Sequence, residues 1–141
     1  MNYYLNQFSV RDQLIQLAPS NNLGIIIVIP CFNEPNLIES LENLDRCVKS
    51  ECTVEVIVVI NSGENASEEV LSKNRETLNS SKEWAVNQSS GNIDFHFIYE
   101  GELPQKDAGV GLARKIGMDE AVRRFEKIKK QEGIIDCFDA D

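Results

Sequence analysis

Hydrophobic residues gather in four short runs separated by longer, mixed stretches: residues 25–29 (IIIVI), 54–60 (VEVIVVI), 93–99 (IDFHFIY) and 134–138 (IIDCF). The first two are β-branched and nearly continuous, the pattern of strands covered on both faces of a parallel sheet. The third and fourth alternate more, which suits strands nearer an edge.

The stretches between them have helical spacing. Pro35 takes the first turn of a helix, and Leu37, Ile38, Leu41, Leu44 and Val48 recur every three to four residues on one face. Ser67 caps a second helix through Val70, Leu71 and Leu78. Residues 79–92 are polar and read as a loop around Trp84. After a loop at 100–107, a long helix carries Ala113, Ile116, Ala121, Phe125 and Ile128 on one side and ends on Lys127, Lys129 and Lys130. Gly133 releases the chain into the fourth run. Residues 1–23 form an N-terminal helical extension and residues 24–141 the domain proper. The alternation predicts an α/β three-layer sandwich with a mainly parallel sheet.

Ligands of such sheets bind at the carboxyl ends of the strands. The segments that follow the four runs are PCFNEP, NSGENAS, EGELPQKDAGVG and DAD. All carry polar or turn chemistry, so one rim can serve a polar ligand. Asp139 and Asp141 project to the same side of an extended chain and offer the oxygen ligands that Mg²⁺ or Mn²⁺ takes. An acidic, solvated strand end is the plainer reading. Phe32 can stack on a base or pack in the core. Asn33 and Glu34 can hydrogen-bond a ribose or base edge, or serve as a cap and a helix-start charge. Lys106 reads as an exposed loop lysine, and His96, inside the third run, as structural.

The net charge of −9 excludes a nucleic-acid backbone binder, which needs a basic footprint. Cys31, Cys47, Cys52 and Cys137 form no CxxC or zinc-ligand spacing; three of them lie in or beside apolar runs, so they read as small buried hydrophobes, with a disulfide the alternative. The N-terminus lacks the pattern of a signal peptide, and the longest apolar run is too short to span a bilayer. The chain reads as cytoplasmic and soluble, with membrane association of a longer parent as the alternative.

The blocks IIIVIPCFNE, VEVIVVINSG, GVGLARKIG and IIDCFDAD, in that order, resemble the family 2 glycosyltransferases of the GT-A fold over residues 24–141. The resemblance implies transfer of a sugar from a nucleotide-diphosphate donor, UDP- or GDP-linked, to an acceptor hydroxyl, with Mg²⁺ or Mn²⁺ as cofactor. It implies that Pro30, Phe32 and Glu34 line the nucleotide pocket and that Asn61 stands where an Asp usually reads the base. Gly109 to Gly117 would set a helix start beside the diphosphate, with Arg114 at the family's arginine. Asp139 and Asp141 would hold the cation, with Asp139 also near the ribose or sugar. INSG replaces the usual acidic pair, and Lys115 replaces an Asn.

The family's catalytic base follows Asp-x-Asp, so no catalytic residue is assigned. The chain is expected to act as a donor-binding fragment, with inefficient transfer by itself. The alternative is a non-catalytic α/β nucleotide-binding or interaction module. Self-association through an exposed sheet edge, along the fourth strand, is a further expectation. A dinucleotide fingerprint at Gly109–Gly111 is rejected, because that motif belongs after the first strand.

Overall fold

The computed structural model describes residues 3–47, 51–88, 92–104, 110–130 and 132–138. The elements run α1 (Tyr3–Phe8), β1 (Leu23–Cys31), α2 (Leu37–Cys47), β2 (Thr53–Gly63), α3 (Glu68–Val86), β3 (Ile93–Leu103), α4 (Val110–Lys127) and β4 (Ile134–Cys137). The four strands form one parallel sheet in the order β3-β2-β1-β4. The predicted α/β class and parallel sheet are therefore observed, with the two alternating runs on the outside.

Side chains of a strand alternate between faces, and both faces of this sheet are covered. Ile27, Ile29, Val56, Val58 and Ile60 lie under Leu37 and Leu41 of α2, with Leu78 and Trp84 of α3 beside them. Ile26, Val28, Ile57 and Val59 lie under Ala113, Ala121 and Phe125 of α4. That double cover is why β1 and β2 read as unbroken apolar runs. Each buried Ile or Val contributes roughly 1.5–3 kcal/mol. Gly117 sets how closely α4 approaches: a Cβ there would lie 2.4 Å from Val28 Cγ1.

Three local expectations are corrected. Helix α2 begins at Leu37, with Pro35 in the turn before it. Residues 79–86 are not a loop, since α3 continues from its Ser67 cap to Val86. The Trp84 ring meets Phe95 edge-on at 4.9 Å, and this tertiary contact outweighs the weak helix propensity of the Ser- and Asn-rich stretch. Of the cysteines beside apolar runs only Cys31 is buried, Cys52 and Cys137 being half-buried; Cys47 is exposed, and no two of the four are bonded. At the end of α4, Lys129 adopts a left-handed φ of 55° and the Lys130 N–H reaches the Phe125 carbonyl at 3.0 Å, a cap made without glycine.

The N-terminal segment is helical only over α1; from Ser9 to Asn22 it is irregular and fastened by side chains. Tyr4 Oη donates to Asp119 Oδ1 at 2.7 Å. The Leu14 and Ile15 N–H groups donate to the Glu120 carboxylate. Arg11 donates two hydrogen bonds to Glu100, at 3.2 and 3.1 Å.

Candidate functional site

The strand order sets where a ligand crevice forms. From β1 the chain steps outward through β2 to β3, then returns to the opposite side of β1 for β4. The direction of winding reverses between β1 and β4, and the crevice of a doubly wound sheet opens outside the carboxyl ends at such a point. Here those ends are Cys31-Phe32-Asn33-Glu34 after β1 and Phe138 after β4.

Pro30 removes a rung from the β1–β4 ladder at this rim. The Phe138 N–H donates to the Val28 carbonyl at 2.9 Å. The next rung of a parallel ladder would run from the N–H of residue 30 to the Phe138 carbonyl. Pro30 has no N–H, and registered pairing of β1 with β4 ends at Val28 and Cys137. Pro30 itself is buried within β1.

Beyond it, Phe32 is 51% exposed and Phe138 is also exposed, two aromatic side chains at the ends of adjacent strands. Asn33 has a left-handed φ of 46°, a conformation Asn tolerates better than most residues. Its N–H donates to Asn74 Oδ1 at 3.1 Å. Asn74 Nδ2 donates to the Asn61 carbonyl at 3.0 Å. Asn61 Nδ2 donates to the carbonyls of Cys31, at 3.0 Å, and Val59, at 3.2 Å. The amide side chains of Asn74 and Asn61, with the Asn33 backbone N–H, thus tie the loop after β1 to the end of β2 through α3. Asn61 is 1% exposed and its Oδ1 has no partner. Glu34 is half-buried, and its Oε1 accepts from the Asn36 N–H at 2.8 Å, holding the turn before α2.

Arg114, in the second turn of α4, reaches the end of β4: its Nε donates to Cys137 Sγ at 3.0 Å. The first turn of α4 carries no acidic residue. Lys115 turns away from the rim toward α1, donating to Tyr4 Oη at 3.0 Å and Asp119 Oδ2 at 3.2 Å. Its hydrogen bond to Tyr4, with Asp119 adding to it, raises its pKa. Burial pushes the Cys31 thiol up to about 11 against a backbone hydrogen bond at Glu34, so Cys31 is protonated at neutral pH and is no nucleophile.

The structure thus brings Pro30, Phe32, Asn33, Glu34, Asn61 and Arg114 to the carboxyl side of the sheet. Gly109, Lys106, Asp139 and Asp141 lie outside the described residues. Among the described residues no group of three or more His, Cys, Asp and Glu could hold a metal ion. Among them also, no helix is long and apolar enough to cross a membrane.

Sequence reasoning missed Asn74, whose signal is an amide residue inside a helix, where Asn is a poor former. It also missed an ionic cluster at the other end of the sheet. Glu55 of β2 is buried, and Arg124 of α4 donates to both of its oxygens, Nη2 at 2.8 Å. Arg124 Nη1 donates to the Leu17 carbonyl at 2.8 Å, and His96 Nε2 lies 3.6 Å from Glu55 Oε2. Burial pushes the Glu55 carboxyl up, but His96 and Arg124 together outweigh it and hold it below the ordinary range. The signal was a carboxylate inside an apolar strand. His96 is thereby structural.

No protein-family model, curated protein or solved structure matches the chain.

Proposed function

We propose that this chain carries the donor-binding part of a family 2-like glycosyltransferase of the GT-A type, taking a UDP- or GDP-linked sugar at the β1–β4 crevice. One observation carries the reading: winding reverses at β1, so the ends of β1 and β4 lie side by side, with Phe32 exposed after one and Asp139 and Asp141 following the other. Phe32 supplies a face for a base. Arg114, beside Cys137, supplies positive charge near a diphosphate. Asp139 and Asp141 are the hard oxygen donors that suit Mg²⁺ or Mn²⁺, and a cation bound there would neutralise charge on the leaving diphosphate. No acceptor and no catalytic base are assigned.

A second reading, a nucleotide-binding or interaction module without transfer, is favoured by the closure of Asn61. Its Nδ2 is spent on strand carbonyls and its Oδ1 is buried, so it offers no base-reading edge without rearrangement. Calorimetry with UDP and GDP, with and without Mn²⁺, tests both. Mn²⁺-dependent binding that disappears in Asp139→Ala/Asp141→Ala supports the donor site. Binding unchanged in that variant sinks the cation assignment, and absence of binding to either nucleotide favours an interaction module.

A further inference from the structure

Among the described residues the outer edge of β3 is unpaired, and its sequence is self-complementary. Val54 lies opposite Ile93, and the Val54 N–H donates to the Asn92 carbonyl at 2.8 Å. In a parallel ladder this directs the backbone groups of Asn92, Asp94 and His96 toward β2. The N–H and C=O groups of Ile93, Phe95 and Phe97 therefore face outward, and among the described residues no strand pairs with them. A groove of about 520 Å³ runs along this edge. Leu17 flanks it from the N-terminal segment and Val86 from the end of α3. At 72% and 84% exposure they are the most exposed large apolar side chains among the described residues.

We propose that this edge docks a second copy of the same chain, the two β3 strands pairing antiparallel about a two-fold axis at Phe95 to join both sheets into one. With that axis, Ile93 faces Phe97 of the second copy, Phe95 faces its own copy, and Asp94 faces His96. The outward-facing groups of Ile93, Phe95 and Phe97 then make the hydrogen-bonded pairs. Asp94 and His96 occupy the non-hydrogen-bonded pairs, whose side chains approach most closely.

Only the axis at Phe95 pairs each Asp94 with a His96. An axis at Asp94 opposes two aspartates, and one at Phe97 sets Asp94 against Glu100; like charges in such positions destabilise pairing. Leu17 and Val86 flank the joint and lose water there. An exposed strand edge is an association template unless something covers it, and here the outward apolar positions, with the Asp94 carboxylate as an acceptor facing the His96 imidazole as a donor, name the cover. Each copy carries a net charge of −9, so repulsion weakens the pair at low ionic strength and added salt tightens it.

Sedimentation velocity of the full chain over a concentration series, at about 0.15 M salt, is the test. A monomer–dimer equilibrium is expected. Leu17→Glu/Val86→Glu, at exposed positions, should raise the dissociation constant tenfold or more, about 1.4 kcal/mol or above. Asp94→Lys, which removes the carboxylate acceptor facing His96, should weaken it in the same direction and carries the test if the double variant loses its circular dichroism. Ile134→Glu, on the opposite edge at β4, should leave the constant unchanged. A wild-type chain that stays monomeric overturns the proposal. So does a dimer indifferent to the β3-edge variants, or one that Ile134→Glu dissolves.

Discussion

At the carboxyl ends of β1 and β2 the buried polar groups are neutral, the amides of Asn61 and Asn74 and the Ser62 hydroxyl, whereas at the amino-terminal part of β2, beneath α4, they are ions. The amide cluster of Asn33, Asn61 and Asn74 holds a loop and leaves one acceptor, Asn61 Oδ1, unpartnered. The ionic cluster pairs Glu55 with Arg124 and fastens the Leu17 carbonyl of the N-terminal segment. Burying ions costs more than burying amides, so the Glu55 and Arg124 charges must be paired with each other to persist, while the neighbouring His96 Nε2 has no hydrogen-bond partner among the described residues. An amide can tolerate an idle acceptor at a smaller penalty. Charge therefore braces the end of the molecule remote from the rim, and neutral groups leave the rim less committed.

The largest test of this contrast is Arg124→Ala. It strands the Glu55 carboxylate in the core and removes a tether of the N-terminal segment. Loss of about 3–5 kcal/mol is expected, measured as a lower urea midpoint. Arg124→Met with Glu55→Gln should recover a large part, because no charge is then left alone. The same pair gives stability a pH signature. The Glu55 carboxyl is held below its ordinary value of 4.5, so the folded state binds its proton less readily than the unfolded state does. Its contribution is complete above that value and is lost as pH falls through the lower folded one. Urea titrations below neutral pH should show that slope, and Glu55→Gln should flatten it. An unchanged slope in Glu55→Gln would place the acid sensitivity elsewhere.

Asn74→Ala is expected to act at the other end, with a smaller effect. It leaves the Asn33 N–H and the Asn61 carbonyl without their shared partner, at a cost of about 1–3 kcal/mol. Amide hydrogen exchange at Asn33 should accelerate, while Glu55 and Arg124 keep their pairing. A loss as large as that of Arg124→Ala would erase the distinction between the two clusters.

Much of the sheet was legible because its causes are local. A run such as IIIVI announces a strand covered on both faces, and the alternation in IDFHFIY announces an edge. The length of α3 was not legible, because the contact between Trp84 and Phe95 joins segments that no local pattern links. The rim was legible in its residues but not in its wiring. Phe32, Asn33 and Asn61 stood out as polar or aromatic residues at strand ends. That Asn61 turns inward depends on the Cys31 carbonyl, 30 positions away, lying within reach of its amide. The fastening of Leu14 and Ile15 to Glu120 spans more than 100 positions and is equally invisible to spacing. The rim function of Pro30 was hidden for another reason. A missing N–H matters only once the neighbouring strand and its register are known.

The smallest expected effect separates the two uses of Asn33. Its side chain is exposed, and its backbone N–H does the bonding to Asn74. Its φ of 46° is one that glycine adopts freely and most side chains resist. Asn33→Gly keeps the N–H and relieves the residual strain, so stability should change by no more than about 0.5 kcal/mol. Asn33→Ala keeps the N–H but not the ease of a left-handed φ, and should cost roughly 1–2 kcal/mol. If Asn33→Gly destabilised the fold as much as Asn74→Ala does, the side chain rather than the backbone would be holding the loop. If stability holds but calorimetric affinity for UDP or GDP falls, the Asn33 amide is free in the folded protein and engaged by the nucleotide. The amide cluster would then divide its labour, with Asn74 and Asn61 keeping the loop in place so that Asn33 can face outward.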